Sequence, residues 1–261
     1  MKYSILSAKE SQLLENLIVK HGQIVTTDNI AIEAKGSWDE KHIYVLISKL
    51  TKRGWLIRIK RGLYAISDLS TRGFLSLSPY IVANLLVKDS YVSFEAALHH
   101  HGMFDQLTNK IISVSLTTYK GAKLQGTEYS FVKTKAEHYF GWEEADIENK
   151  KARIATAEKA IVDMINFHRS KYSIDLVVEK LREHRKDLNL ARLNEYLGKV
   201  STTTVKIFGL LFDMLGIDSA YLHNLVDNSR TAHRMLAGAT KFNAKWRLYY
   251  DEYFDKYSKT V

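Results

Sequence analysis

Between residues 43 and 66 the hydrophobic pattern changes its period. Apolar residues first fall at Ile43, Leu46, Ile47 and Leu50, the spacing of one buried helix face; after Gly54 they alternate through Leu56 and Ile57, Ile59, and then Leu63, Tyr64 and Ile66. The pattern predicts a helix followed by a hairpin, with residues 60–62 as its tight turn. Upstream, Ser7 caps a predicted helix that carries Leu13, Leu14, Leu17 and Ile18 on one side and stops at His21 and Gly22. Thr26 or Thr27 caps a second helix through Ile30 and Ala34, and Gly36 separates it from the third, which is expected to begin near residues 37–39. Three short helices and a hairpin over residues 1–70 outline a winged helix-turn-helix.

Further along, residues 67–78 read as a linker. Ser78 and Pro79 open a helix, with proline at the first helical position where its missing amide costs nothing. Residues 91–102 read as a helix capped by Ser93 and ended by Gly102. Ile112, Val114 and Leu116 alternate with Ser113 and Ser115 as in a strand, and residues 128–132 and 153–155 read as further strands. The last leads into a helix capped by Thr156, with Ile161, Met164, Ile165 and His168 on one face. After about residue 171 the pattern turns helical, over 174–184, 190–197 and 205–215. The expected fold class is α+β: a winged helix-turn-helix over residues 1–70, then a mixed α/β domain over 71–261 with a helical carboxy-terminal part.

Charge gives the first module a chemistry. Residues 41–61 hold seven basic side chains, Lys41, Lys49, Lys52, Arg53, Arg58, Lys60 and Arg61, and no acid. If Ile43, Leu46, Ile47 and Leu50 face the core, Lys41, Tyr44, Val45, Ser48 and Lys52 look outward, flanked by His42 and Lys49. Hydrogen-bonding groups beside one apolar contact suit base edges in a major groove, while Arg53, Arg58, Lys60 and Arg61 suit phosphates. The whole chain agrees in sign, with 38 Lys and Arg against 29 Asp and Glu in 261 residues. Cysteine is absent, which excludes disulfides, thiolate catalysis and cysteine-ligated zinc. The amino terminus lacks the apolar core of a secretory leader and no apolar run is long enough to span a bilayer, so a cytoplasmic location without membrane contact is expected.

Three blocks, in order, carry a family resemblance. They are Leu50 to Gly54 with Arg61 to Tyr64; Ser93, Ala97, Leu98, His101 and Gly102; and Ala157, Glu158, Lys159, Val162 and Asp163. Over about the first two thirds of the chain the sequence resembles the AbiEi antitoxins of type IV toxin-antitoxin and phage-defence systems. The resemblance implies a transcriptional repressor that binds inverted repeats in its own promoter. It also implies a second domain that counters a nucleotidyltransferase-like toxin without a stable complex. No block is a catalytic signature and no nucleophile-elbow, kinase or Walker pattern occurs, so no enzyme activity and no cofactor are expected.

Other constellations point less far. His99, His100 and His101 are consecutive, so from a regular helix they diverge by about 100° each and do not converge on one metal ion. Glu158, Lys159 and Asp163 contain the residue types of a metal-dependent nuclease, but a turn and a half of helix separates the two acids. Gly121 and Gly126, with Lys120 and Lys123, form a polar hairpin loop rather than a phosphate loop. Arg230, His233, Arg234, Lys241, Lys245 and Arg247 make a basic tail with no assigned role. Two alternatives stand beside the repressor: a metal-dependent nucleic-acid-processing enzyme in the middle domain, and a protein-binding scaffold.

Overall fold

The computed structural model describes residues 6–67, 70, 72–106 and 109–259, with the backbone only of Lys259. The first five residues of the stretch read for a leader, and residues 68, 69 and 71 of the expected linker, lie outside the described residues.

The capping signals act where the sequence puts them. Helix α1 (Ala8–His21) starts at Ser7, whose hydroxyl accepts from the Glu10 amide while the Glu10 carboxylate accepts from the Ser7 amide. Gly22, at φ +76°, ends it. Leu13, Leu14 and Leu17 are buried, but Ile18 is 49% exposed, because the interior face of α1 is narrower than its apolar stripe. A short strand that the spacing does not reveal, β1 (Ile24–Thr26), precedes α2 (Thr27–Ala34), and Thr26 is the residue that caps it. A single 3-10 turn, Glu40–His42, leads into α3 (Ile43–Lys52), so the regular helix starts later than expected. The hairpin is β2 (Leu56–Lys60) and β3 (Leu63–Ile66), joined through Arg61 and Gly62, where Gly62 takes φ +78°. Strand β3 pairs antiparallel with both β1 and β2, which closes a three-stranded sheet of order β1-β3-β2.

That sheet is covered on both faces. Val25, Leu56 and Ile66 join Leu17, Ile30 and Leu50 in a core with the three helices. Ile59 and Ala65, on the other face, pack against Val82 and Leu86 of α4 (Pro79–Leu86). The stretch read as a linker is tied down where it is described: Gln23 Nε2 donates to Ser76 Oγ at 2.7 Å, and Arg72 Nε donates to Arg53 O at 3.1 Å.

The rest of the chain builds a second layer system. Strand β4 (Ser90–Val92) runs into α5 (Phe94–His100), followed by β5 (Lys110–Ser115), β6 (Ala122–Leu124), β7 (Thr127–Lys133), β8 (Trp142–Ile147) and β9 (Lys150–Ala155). These strands form one mixed sheet of order β6-β7-β5-β4-β9-β8. Tyr91 and Val92 are therefore strand residues, not the first turn of a helix, and the helix begins only at Phe94. The expected alternation in β5 also fails, since Ser113 and Ser115 are as buried as Ile112 and Val114. Ile111 faces the core that holds α4, and Ile112 and Val114 face the main core, so neither side of β5 meets water.

Helix α6 (Ala157–Phe167) packs on β9 of the sheet; α7 (Lys171–Glu183), α8 (Leu190–Leu197) and α9 (Thr202–Met214) pack on α6, and α10 (Ala220–Val226) packs on α8 and α9. His168, expected on a face of α6, is its exposed C-terminal cap and stacks on Phe94 at 4.6 Å between ring centroids. The helical expectation ends at Val226. Beyond it, β10 (His233–Arg234), β11 (Lys241–Asn243) and β12 (Leu248–Tyr250) form a second small sheet, and Glu252–Lys259 is a 3-10 helix. Aromatic and branched residues there pack as strand side chains around Trp246, whose indole lies on Gly209 of α9; a Cβ at Gly209 would come within 2.2 Å of the ring. The fold is α+β throughout.

Candidate nucleic-acid interface

Helix α3 presents two unlike faces. Ile43, Leu46, Ile47 and Leu50 are buried, each contributing on the order of 2 kcal/mol of apolar burial. On the other face Tyr44 is 73% and Val45 62% exposed. Tyr44, Val45, Ser48, Lys49, Lys52 and Arg53 line one open groove. His42 lines a neighbouring depression with Asp39, whose carboxylate lies 3.6 Å from His42 Nδ1. Lys41 is exposed at the same end.

The basic side chains divide into free and engaged groups. Among the described residues Lys41, Lys52, Arg58 and Arg61 are exposed and form no ion pair. Lys49 Nζ instead lies 2.8 Å from Glu10 Oε1, and Arg53 reaches both oxygens of the same carboxylate at 3.4 Å. Glu10 is buried at the first turn of α1. Burial opposes its charge, but the hydrogen bonds from Lys49 and from the Ser7 backbone and hydroxyl outweigh it and hold the carboxyl below its ordinary value. Lys60, expected at the hairpin tip, donates from Nζ to Leu86 O at 3.0 Å at the end of α4. The tip itself is fixed by the amide of Thr27, which donates to Gly62 O at 3.0 Å. Arg58 and Arg61 thus project from a hairpin that is held on both sides.

Spacing gave no hint of Glu10, which lies far from Lys49 and Arg53 in sequence. The sequence pattern shows only the Ser7 cap beside it. Because its folded-state pKa lies below the unfolded value of 4.5, the Glu10 contacts stabilise the protein above pH 4.5 and are lost as pH falls through the lower folded value. Glu10→Gln should therefore remove part of the acid sensitivity of unfolding. A denaturant titration series from pH 3 to 7 reads this, and parallel curves for the two proteins would contradict it.

Residues 12–67 match the family of AbiEi antitoxin transcriptional regulators. The match runs from within α1 through α2, α3 and the hairpin, so the resemblance seen in the sequence holds for the module that carries the groove. No curated protein matches the chain. As a fold, the protein is similar to the crystal structure of the RV2827C protein from Mycobacterium tuberculosis, with a TM-score of 0.67 and 16% identity over 94% of this chain and 92% of that one. That likeness extends the fold comparison well past the AbiEi segment.

The acid-lysine set of α6 does not assemble as a nuclease centre. Asp163 and Lys159 are fully buried and paired with each other, and the Asp163 carboxylate also accepts from Ser93 Oγ at 2.7 Å and from Tyr91 Oη at 3.1 Å. Burial and the Asp163 carboxylate push the Tyr91 phenol well up, which keeps it a donor. Glu158 turns the other way, accepting from the Asn189 amide at 2.8 Å with Arg192 at 3.7 Å. The two family blocks around Ser93 and Lys159 therefore meet as an internal polar core. His99, His100 and His101 also diverge: His99 Nδ1 lies 3.2 Å from Tyr80 Oη, and His101 Nε2 lies 2.8 Å from Ala155 O. Among the described residues no three His, Asp or Glu side chains converge in a way that would hold a metal ion. No described helix is long and apolar enough to cross a membrane.

Proposed function

We propose that the protein is a sequence-specific DNA-binding repressor and the antitoxin of a type IV toxin-antitoxin pair, with residues 1–70 as a winged helix-turn-helix and residues 71–261 as a second domain. The observation that carries this reading is the open face of α3, where polar, aromatic and unpaired cationic side chains stand on the very segment that matches the AbiEi regulators. In this reading Lys41, Tyr44, Val45, Ser48 and Lys52 meet base edges or the adjoining phosphates, His42 flanks them, and Arg58 and Arg61 hold the backbone from the hairpin. Lys49 and Arg53 serve chiefly to lock α3 onto α1 through Glu10, and Lys60 locks the hairpin onto α4. The module would then present a preformed surface, with little ordering left to do on binding. The partner is double-stranded operator DNA in the cytoplasm, the toxin is countered without a stable complex, and the chain acts without catalysis.

The test is a gel shift with the DNA upstream of its own gene. A discrete complex that resists excess unrelated duplex supports the reading. Equal loss of the complex to any duplex would reduce the protein to a nonspecific polyanion binder.

A further inference from the structure

The basic tail folds into something more specific than a solvated surface. Parallel pairing of β10 with β12 sets His233 beside Arg247, with the His233 amide donating to Arg247 O at 3.0 Å. Lys206, on α9, is 1% exposed, and its Nζ donates to Thr231 O at 2.7 Å, a neutral partner that leaves the charge uncompensated. Thr203, one turn back on the same helix, has its hydroxyl 2.5 Å from His233 Nδ1. Arg169, just past the end of α6, lines an open depression with Asn166, Phe167 and Arg234. Asn166 accepts from Thr204 Oγ1 at 3.0 Å through its carbonyl oxygen, so its amide NH2 remains a donor. Arg234 is held by Ala239 O and lies 4.4 Å from the centre of the Tyr249 ring.

Among the described residues no carboxylate pairs with Arg169, Lys206, His233, Arg234 or Arg247. By contrast, Lys171 meets Asp251 at 2.6 Å and Lys245 meets Asp213 at 2.7 Å. A buried ammonium near the His233 imidazole and the Arg247 guanidinium is costly without an anion. Burial, then Lys206 and Arg169, hold the His233 imidazole below its ordinary value, and burial and Arg247 do the same to Lys206.

We propose that this depression, lined by Arg169, Arg234 and Asn166, is a binding site for a phosphate-type oxyanion. Guanidinium groups match the geometry of phosphate oxygens, and the Asn166 amide supplies a neutral donor. The site lies in the second part of the chain and does not depend on the assignment of α3 to DNA. Phe167 at its wall offers an apolar contact for the remainder of a phosphomonoester.

The experiment is a proton NMR titration of the histidine ring signals in the full chain, with the His233 signal assigned through His233→Gln. Ionic strength is held constant with chloride while inorganic phosphate is added. Binding should raise the His233 midpoint by about one pH unit, as expected for an opposite charge within a few ångströms. Arg169→Ala with Arg234→Ala, both at exposed positions, should abolish that shift. A nucleoside monophosphate serves as a second arm. Tighter binding than phosphate places the anion on a nucleotide, whereas equal binding places it on the free ion, and both support the site. An unchanged His233 midpoint, or the same shift in the double variant, would overturn it. So would a double variant that loses affinity for duplex DNA while the parent protein shows no response to phosphate, which would make the cluster a backbone-contact surface.

Discussion

Asp163→Ala is expected to destabilise the protein by about 3–5 kcal/mol, the usual cost of leaving one member of a buried ion pair alone. The Lys159 ammonium has no route to water in this fold. It is fully buried, its aliphatic stem passes 3.0 Å from where a Cβ on Gly141 would sit, and its Nζ lies 4.5 Å from the centre of the Phe140 ring. Without the carboxylate, the hydroxyls of Ser93 and Tyr91 also lose their acceptor. Removing both charges, as in Lys159→Met with Asp163→Ala, should cost clearly less than the sum of the two single changes, because neither charge is then stranded. Urea unfolding of the four proteins of this cycle measures the coupling. A loss below about 1 kcal/mol for Asp163→Ala would mean that water reaches Lys159, contrary to its burial.

The second large effect concerns DNA. Lys41→Ala combined with Lys52→Ala should weaken operator binding by about 1–3 kcal/mol, roughly five- to 150-fold, and flatten its salt dependence by about two phosphates. Both side chains are exposed and unpaired among the described residues, so their loss leaves the fold intact. Lys60→Ala provides the contrast. Its ammonium is engaged by Leu86 O, so operator affinity should change less than for the pair on α3. If the two substitutions acted in the reverse order, the hairpin rather than the helix would carry recognition.

The legibility of these features in the sequence follows their range. The caps at Ser7, Thr26 and Thr156, the first-turn Pro79 and the buried face of α3 are local, and each appears where residue spacing places it. Short strands were the main omission. β1 and β4 have three residues each, too few to display a period, and β5 is covered on both faces, which removes the alternation that a half-exposed strand shows. The small carboxy-terminal sheet was hidden for the same reason.

At the candidate interface, sequence identified the outward side of α3 but not the occupation of its neighbours. Lys49, Arg53 and Lys60 read as free cations because Glu10 and the carbonyl of Leu86 come from distant segments. The family blocks show a similar division. The Ser93 and Asp163 blocks were recognisable as patterns, yet their hydrogen bond to each other is a tertiary event that neither pattern contains. Conversely, the basic tail carries no assigned role in the sequence, and only the pairing of β10 with β12 sets His233 beside Arg247.

The most direct test of the central claim is the salt dependence of binding to the upstream DNA of its own gene, followed by fluorescence anisotropy beside a shuffled duplex of equal composition. Lys41, Lys52, Arg58 and Arg61 are the unpaired cations between residues 41 and 61, so the logarithm of affinity should fall against the logarithm of salt with a slope of roughly −3 to −4 per chain bound. The upstream sequence should hold its advantage over the shuffled one at every salt concentration. A slope near zero, or equal affinity for the two duplexes, would contradict the assignment of α3 to sequence-specific DNA binding.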